Sequence, residues 1–153
     1  MLALASLLIA MLSFRRVATI AAKRGGRAIA TPAGARAIAR AVAGWGHRVP
    51  WHAVCFQQGL AAHLMLRRRG LTTALHYGAM RDDAGALIAH VWVRSGDVDV
   101  IGCDGSERYG LLATFPPGAT LPAGFRVIGS VAEGEGVTVD GAAYDGPTGW
   151  THF

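Results

Sequence analysis

The chain opens on an almost continuous apolar run, MLALASLLIAMLSF (residues 1 to 14), which ends at Arg15 and Arg16. A helix that spans a bilayer needs about 20 apolar residues, and a secretory signal carries its positive charge ahead of the apolar run. The stretch therefore predicts a buried or partner-facing helix, not a membrane span or an export signal. With Arg15, Arg16, Lys23, Arg24 and Arg27 close behind, peripheral membrane contact through this helix is a second expectation. Pro32 and Gly34 break the first helical stretch. From Ala35 to Gly46, Ile38, Ala39, Val42 and Trp45 share one helical face. Residues 47 to 51, HRVPW, form a turn because proline disfavours helix at Val49. A further helix is expected from His52 to Arg69, with Val54, Leu60, Ala61, Leu64 and Met65 at helical spacing and Gly70 as its stop.

The pattern changes at Leu71. LTTALHYGA (71 to 79) and ALIAHVWV (86 to 93) alternate like strands across the turn-rich RDDAG, and VDVIGC (98 to 103) follows the turn at Ser95, Gly96 and Asp97. Such short connections imply antiparallel neighbours. LLATFPPGATLP is mostly loop, whereas FRVIGSV (125 to 131) and GVTVDGA (136 to 142) suggest further strands. The expected fold class is α+β, with N-terminal helices followed by an antiparallel sheet. Residues 1 to 47 form the helical segment and 48 to 153 the core, in a single domain overall.

Composition sharpens this picture. Apolar residues make up 52% of the 153 positions and charged residues 16%, enough to bury a core. The net charge of +5 hides an asymmetry: residues 1 to 81 sum to +12 with no acid, and 82 to 153 to −7. An acidic or extended peptide would suit the basic half. Arg67, Arg68 and Arg69 end a helix, where cations complement the dipole, so they need no nucleic acid to explain them. Two cysteines make no disulfide scaffold, and a reducing cytoplasm is the expected compartment. There is no P-loop, no HExxH and no zinc-ligand spacing, so neither a cofactor nor a metal is expected.

Cys55 falls near the start of the helix expected from His52 to Arg69, with His52 three residues earlier. A helix N-terminus favours thiolate, and its N–H groups can stabilise an oxyanion. His90 lies 35 residues downstream, inside the apolar strand ALIAHVWV. Both residues also have structural explanations, Cys55 as a small buried apolar group and His90 as a satisfied core histidine. His63 and His76 are expected to be structural or exposed. A catalytic imidazole needs a third group to hold its tautomer, and Asp97, Asp99 and Asp104 are nearby. One hairpin register sets Arg94 against Asp99 and Cys103 against His90. The other, offset by one, sets Arg94 against Val100, Trp92 against Gly102 and His90 against Asp104. Asp104 is the first choice and Asp99 the reserve.

The segments RVPWHAVCFQQGLAAHLMLRRRGLTTALHYGA, LIAHVWVRSGDVDVIGCD and RYGLLATFP, in this order, resemble the transglutaminase-like leader peptidases of lasso-peptide biosynthesis, best over Arg48 to Pro116. AHVWV alone would be a weak signal, and the specificity comes from the combination. The resemblance implies a cysteine protease of papain-like or transglutaminase-like fold that cuts the leader from a ribosomally made precursor peptide. It implies Cys55 as nucleophile, His90 as general base and Asp104 as orienting acid. It also implies a separate precursor-recognition protein, since the residues ahead of Cys55 are too few for a fused recognition domain, and a separate ATP-dependent macrolactam cyclase. Two other classes stay open: a transglutaminase-like acyltransferase using the same acyl-enzyme, and a non-catalytic peptide-binding module. Nothing after Pro117 carries a motif of the family.

Overall fold

The computed structural model describes residues 1–23, 25–51, 53–83, 85, 87–113, 115–116, 118–130, 138–139 and 141–143. The chain divides into two compact units, Met1–Ala113 and Thr114–Phe153. The first holds helices α1 (Leu2–Met11), α2 (Phe14–Ala22), α3 (Pro32–Gly46) and α4 (Cys55–Arg68), then strands β1 (Ala74–Arg81), β2 (Leu87–Ser95), β3 (Val98–Ile101) and β4 (Gly110–Leu111). This is the α+β order that the sequence pattern predicts: four helices, then an antiparallel sheet of order β3-β2-β1-β4.

The helix boundaries follow local chemistry. The apolar N-terminal run forms α1 and stops there, because the backbone turns extended at Leu12 and a new helix starts at Phe14. Pro32 opens α3 where a break was expected. Its missing N–H costs nothing at the first helical position, and the Thr31 hydroxyl caps the helix by accepting from the Gly34 N–H at 3.1 Å. Helix α4 starts at Cys55, after an extended Val54; His52, the expected start, lies outside the described residues. At its other end Gly70 takes φ +69, the left-handed conformation that stops helices.

Helix α4 is the central element of the core. Leu60, Ala61, Ala62 and Leu66 are fully buried, and the helix packs on β2 through Gly59. A Cβ at Gly59 would stand 2.9 Å from Val91 Cγ1 and 3.2 Å from Leu75 Cδ1. Leu75, Val91 and Val93 therefore face α4, and strand alternation turns His76, Gly78, His90 and Trp92 to the opposite face. Behind β2, buried Ser95 joins two loops: its hydroxyl accepts from Ala30 N–H at 2.9 Å and donates to Thr72 O at 2.7 Å.

In the second unit, Thr138–Val139 (β5) and Ala142–Ala143 (β6) pair as a short hairpin around Gly141, so the segment expected as one strand over 136–142 turns back on itself and its pairing runs one residue further, to Ala143. The strand expected at 125–131 does not form over 125–130, and Val131 lies outside the described residues. Val127 and Ile128 are 77% and 73% exposed, so the alternating pattern there buries no apolar face that would fix a strand.

Candidate active site

Cys55 is the first residue of α4. Val54, in the capping position, has no side-chain oxygen to offer the first turn. Gln57 instead reaches back, its Oε1 accepting the Val54 N–H at 2.6 Å, while Gln58 Nε2 donates to Ala53 O at 2.7 Å. The turn is thus fixed by glutamines, and backbone groups of Cys55 and Phe56 are turned toward the Cys55 sulfur, with that of Val91 approaching from β2. All three favour the thiolate. Burial outweighs them and holds the thiol above its ordinary range. The helix N-terminus was expected to acidify this cysteine; desolvation of the half-buried sulfur is the larger effect.

His90 sits on β2 one residue before Val91, so its side chain leaves the strand on the face away from α4. Its Nε2 is 2.7 Å from the Gly102 carbonyl oxygen. A carbonyl can only accept, so Nε2 carries a hydrogen, and in the neutral ring Nδ1 is then the nitrogen with the free lone pair. The imidazole lies between two rings, Trp92 at 6.1 Å with planes 19° apart and Tyr109 at 5.0 Å and 37°. His76 stacks on Trp92 at 5.4 Å, leaving the indole only 6% exposed on the face away from α4. Among the described residues, no hydrogen bond joins Cys55 to His90 or His90 to Asp104.

The β2–β3 pairing explains why a backbone carbonyl meets the imidazole. Ser95↔Val98 and Arg94↔Asp99 follow one of the two registers allowed by the sequence. An irregularity between Val93 and Arg94 then moves the pairing into the other, with Val93↔Ile101. Continued, that register would set Asp104 against His90, but β3 ends at Ile101 and Gly102 turns away at φ +71. The strand departs just where its carbonyl reaches the ring. Asp104 is exposed in the following turn, closed by Ser106 N–H on Cys103 O at 3.0 Å. Asp99 is engaged with Arg94 through a 2.7 Å ion pair.

The remaining candidates serve the framework. His63 is 1% exposed, its Nδ1 3.1 Å from Thr73 Oγ1, and burial with the nearby Arg67 charge lowers its pKa to about 4. Cys103 donates to Val93 O at 3.3 Å, and burial raises its pKa too. No group of three or more His, Cys, Asp or Glu among the described residues is arranged to hold a metal ion. The Gly102 carbonyl, Trp92 and Tyr109 were not singled out from sequence. A carbonyl has no residue-type signature, and Trp92 and Tyr109 read as ordinary apolar positions.

A half-buried thiol on a helix start and a strand histidine whose Nε2 is held by a carbonyl are groups of the kind that acyl transfer through sulfur uses, with α4 packed on the strand that bears the histidine. No curated protein and no solved structure matches the chain. The family model of the transglutaminase-like superfamily matches residues 1–114, covering the four helices and the four-stranded sheet that carry Cys55 and His90, and the chain belongs to that superfamily.

Proposed function

We propose that the protein is a leader peptidase, a cysteine protease that cuts the leader from a ribosomally made lasso-peptide precursor and frees the core's N-terminal amine. The observation that carries it is the packing of α4, which begins at the half-buried Cys55, on β2, which bears a His90 whose Nε2 is occupied by Gly102. Superfamily membership supports chemistry of the cysteine protease or acyltransferase type. The narrower substrate class rests on the combined Cys-helix, LRRRG and AHVWV segments.

In the proposed mechanism Cys55 rests as the thiol, because burial keeps it protonated. The imidazole rests on the sheet face away from α4, so this mechanism requires substrate binding to bring it into line with the thiol. Nδ1 of His90 takes the Cys55 proton, and the sulfur attacks the scissile carbonyl carbon. Negative charge gathers on the carbonyl oxygen, where the first N–H groups of α4 stabilise it. The C–N bond breaks, and His90 returns the proton to the departing amine of the core. Water, deprotonated by His90, then hydrolyses the thioester and releases the leader acid. The Gly102 carbonyl stabilises the imidazolium through Nε2–H. Asp104, two residues further on, is the carboxylate assigned to support it, with Asp99 as the alternative. A separate recognition protein presents the precursor, and an ATP-dependent cyclase closes the ring afterwards.

The test is mass spectrometry of the precursor incubated with this protein and the recognition protein, wild type beside Cys55→Ala, His90→Ala, Asp104→Ala and Asp99→Ala. Leader and core masses with wild type, lost with Cys55→Ala and His90→Ala, are the expected result. A leader–amine adduct in place of leader acid identifies an acyltransferase. An intact precursor with every folded variant leaves a peptide-binding module, and equal cleavage by Cys55→Ala overturns the nucleophile.

A further inference from the structure

Helix α1 has an unusual outer surface. Leu2 and Ala5 are buried, and Ile9 and Leu12 pack partly against the core. The opposite face carries Ala3, Leu4, Leu7, Ala10 and Met11, all exposed and all apolar; Leu7 is 53% and Met11 73% exposed. A surface helix ordinarily turns charged or polar residues to water, and this one turns none. Its ten residues are too few to cross a bilayer, and among the described residues no helix is long and apolar enough to do so.

The surroundings of that face indicate what covers it. Exposed Arg68 and Arg69 line a recess shared with Met1 and Met65 at one end of α1. Exposed Arg16 on α2, and Lys23 just after it, follow the other end. Trp51 is 39% exposed and donates its indole N–H to Ser6 on the flank of α1 at 3.1 Å. No Asp or Glu occurs anywhere in residues 1 to 81. An aliphatic face with cations at both ends and an indole at its margin matches the boundary of an anionic bilayer. Aliphatic groups there enter the acyl region, tryptophan sits at headgroup level and cations meet phosphate. A non-obligate protein interface is only about as apolar as the rest of the surface and carries a polar rim able to hydrogen-bond a partner, which this face lacks.

We propose that α1 lies in the plane of an anionic phospholipid surface, with Leu4, Leu7 and Met11 inserted and Arg16, Arg68 and Arg69 at the headgroups. This holds whatever the chemistry at Cys55. The probes are vesicles of phosphatidylcholine alone and of phosphatidylcholine with phosphatidylglycerol, sedimented with the full chain at low and high salt. Wild type should pellet with the anionic vesicles, with at least ~10-fold weaker partitioning onto neutral ones or in high salt. Leu4→Ser/Leu7→Ser/Met11→Ser, at exposed positions, should stay in solution with an unchanged melting temperature. Should that variant misfold, Arg16→Gln/Arg68→Gln/Arg69→Gln tests the same surface through charge and should lose anionic binding about 10-fold. Wild type remaining in the supernatant with anionic vesicles overturns the proposal. So does equal pelleting by both triple variants, or a dimer dissolved by the serine substitutions in a protein that ignores vesicles, which would make a second copy the occupant.

Discussion

His90 Nε2 donates to the carbonyl oxygen of Gly102 at 2.7 Å, and only glycine allows that carbonyl to be there. Gly102 holds φ +71, a region that side chains strongly disfavour, and a Cβ on it would stand 2.7 Å from Val91 O and 3.4 Å from the imidazole itself. Gly102→Ala should therefore displace the carbonyl and free the ring to change tautomer. If His90 is the general base, peptidase kcat should fall by about 10²-fold, the lower end of what general acid–base catalysis supplies. The pH–rate profile should shift with it. An unchanged rate and profile in a folded Gly102→Ala protein would remove the carbonyl from the mechanism.

The Cys55 thiol is held above its ordinary range by burial, so it should be a poor nucleophile at rest. Alkylation of the residue-55 peptide by iodoacetamide, followed against pH, should have its midpoint above the ~8.5 of an unperturbed thiol. With no hydrogen bond between the two side chains at rest, His90→Ala should leave that midpoint almost unchanged. A flat, fast alkylation rate extending below neutral pH would instead reveal a preformed thiolate–imidazolium pair. Slow alkylation does not separate a peptidase from a binding module here, so product masses must decide that question.

Much of this arrangement was legible in the sequence, and the gaps have definite causes. The apolar spacing marked α3 and α4, and the short turns at residues 81–85 and 95–97 marked an antiparallel sheet in which β2 carries His90. Pairing of Arg94 with Asp99 and the offset pairing of His90 with Asp104 looked like alternatives. The irregularity at Val93/Arg94 uses the first beside the turn and leads into the second, and β3 ends before Asp104 can pair. Such irregularities depend on how a strand packs against its neighbours, which no residue pattern records. The thiol's direction of shift was misjudged for a related reason. The helix end is visible in the sequence, whereas the burial that outweighs it depends on the tertiary fold.

Ser95 should matter to stability and not to chemistry. It is fully buried, accepting from Ala30 N–H and donating to Thr72 O. Ser95→Ala keeps the packing and strands both backbone groups, at a cost of about 1–3 kcal/mol for a buried unsatisfied group. Urea unfolding should show a lower midpoint at unchanged slope. Water entering the vacated volume would shrink the loss, and a change below about 0.5 kcal/mol would show that the two loops are held by other contacts.

His63 should make the fold acid-sensitive in a defined window. Burial, with help from the Arg67 charge, lowers its pKa from an ordinary 6.5 to about 4. The native state therefore resists protonation that the unfolded chain accepts. Above the unfolded value both states are neutral and the residue contributes no pH dependence. As pH falls from 6.5 to 4 the unfolded state binds the proton first, and stability is lost progressively until the native histidine is also charged. A gap of about 2.5 pKa units corresponds to about 3 kcal/mol, an order-of-magnitude figure for a group this buried. His76 is lowered in the same direction by burial and by Arg94, and adds to the slope. Unfolding free energies measured between pH 7 and 4 should fall more steeply for wild type than for His63→Gln, which removes the titrating ring. Parallel pH curves for the two proteins would show that the buried imidazole does not govern acid stability.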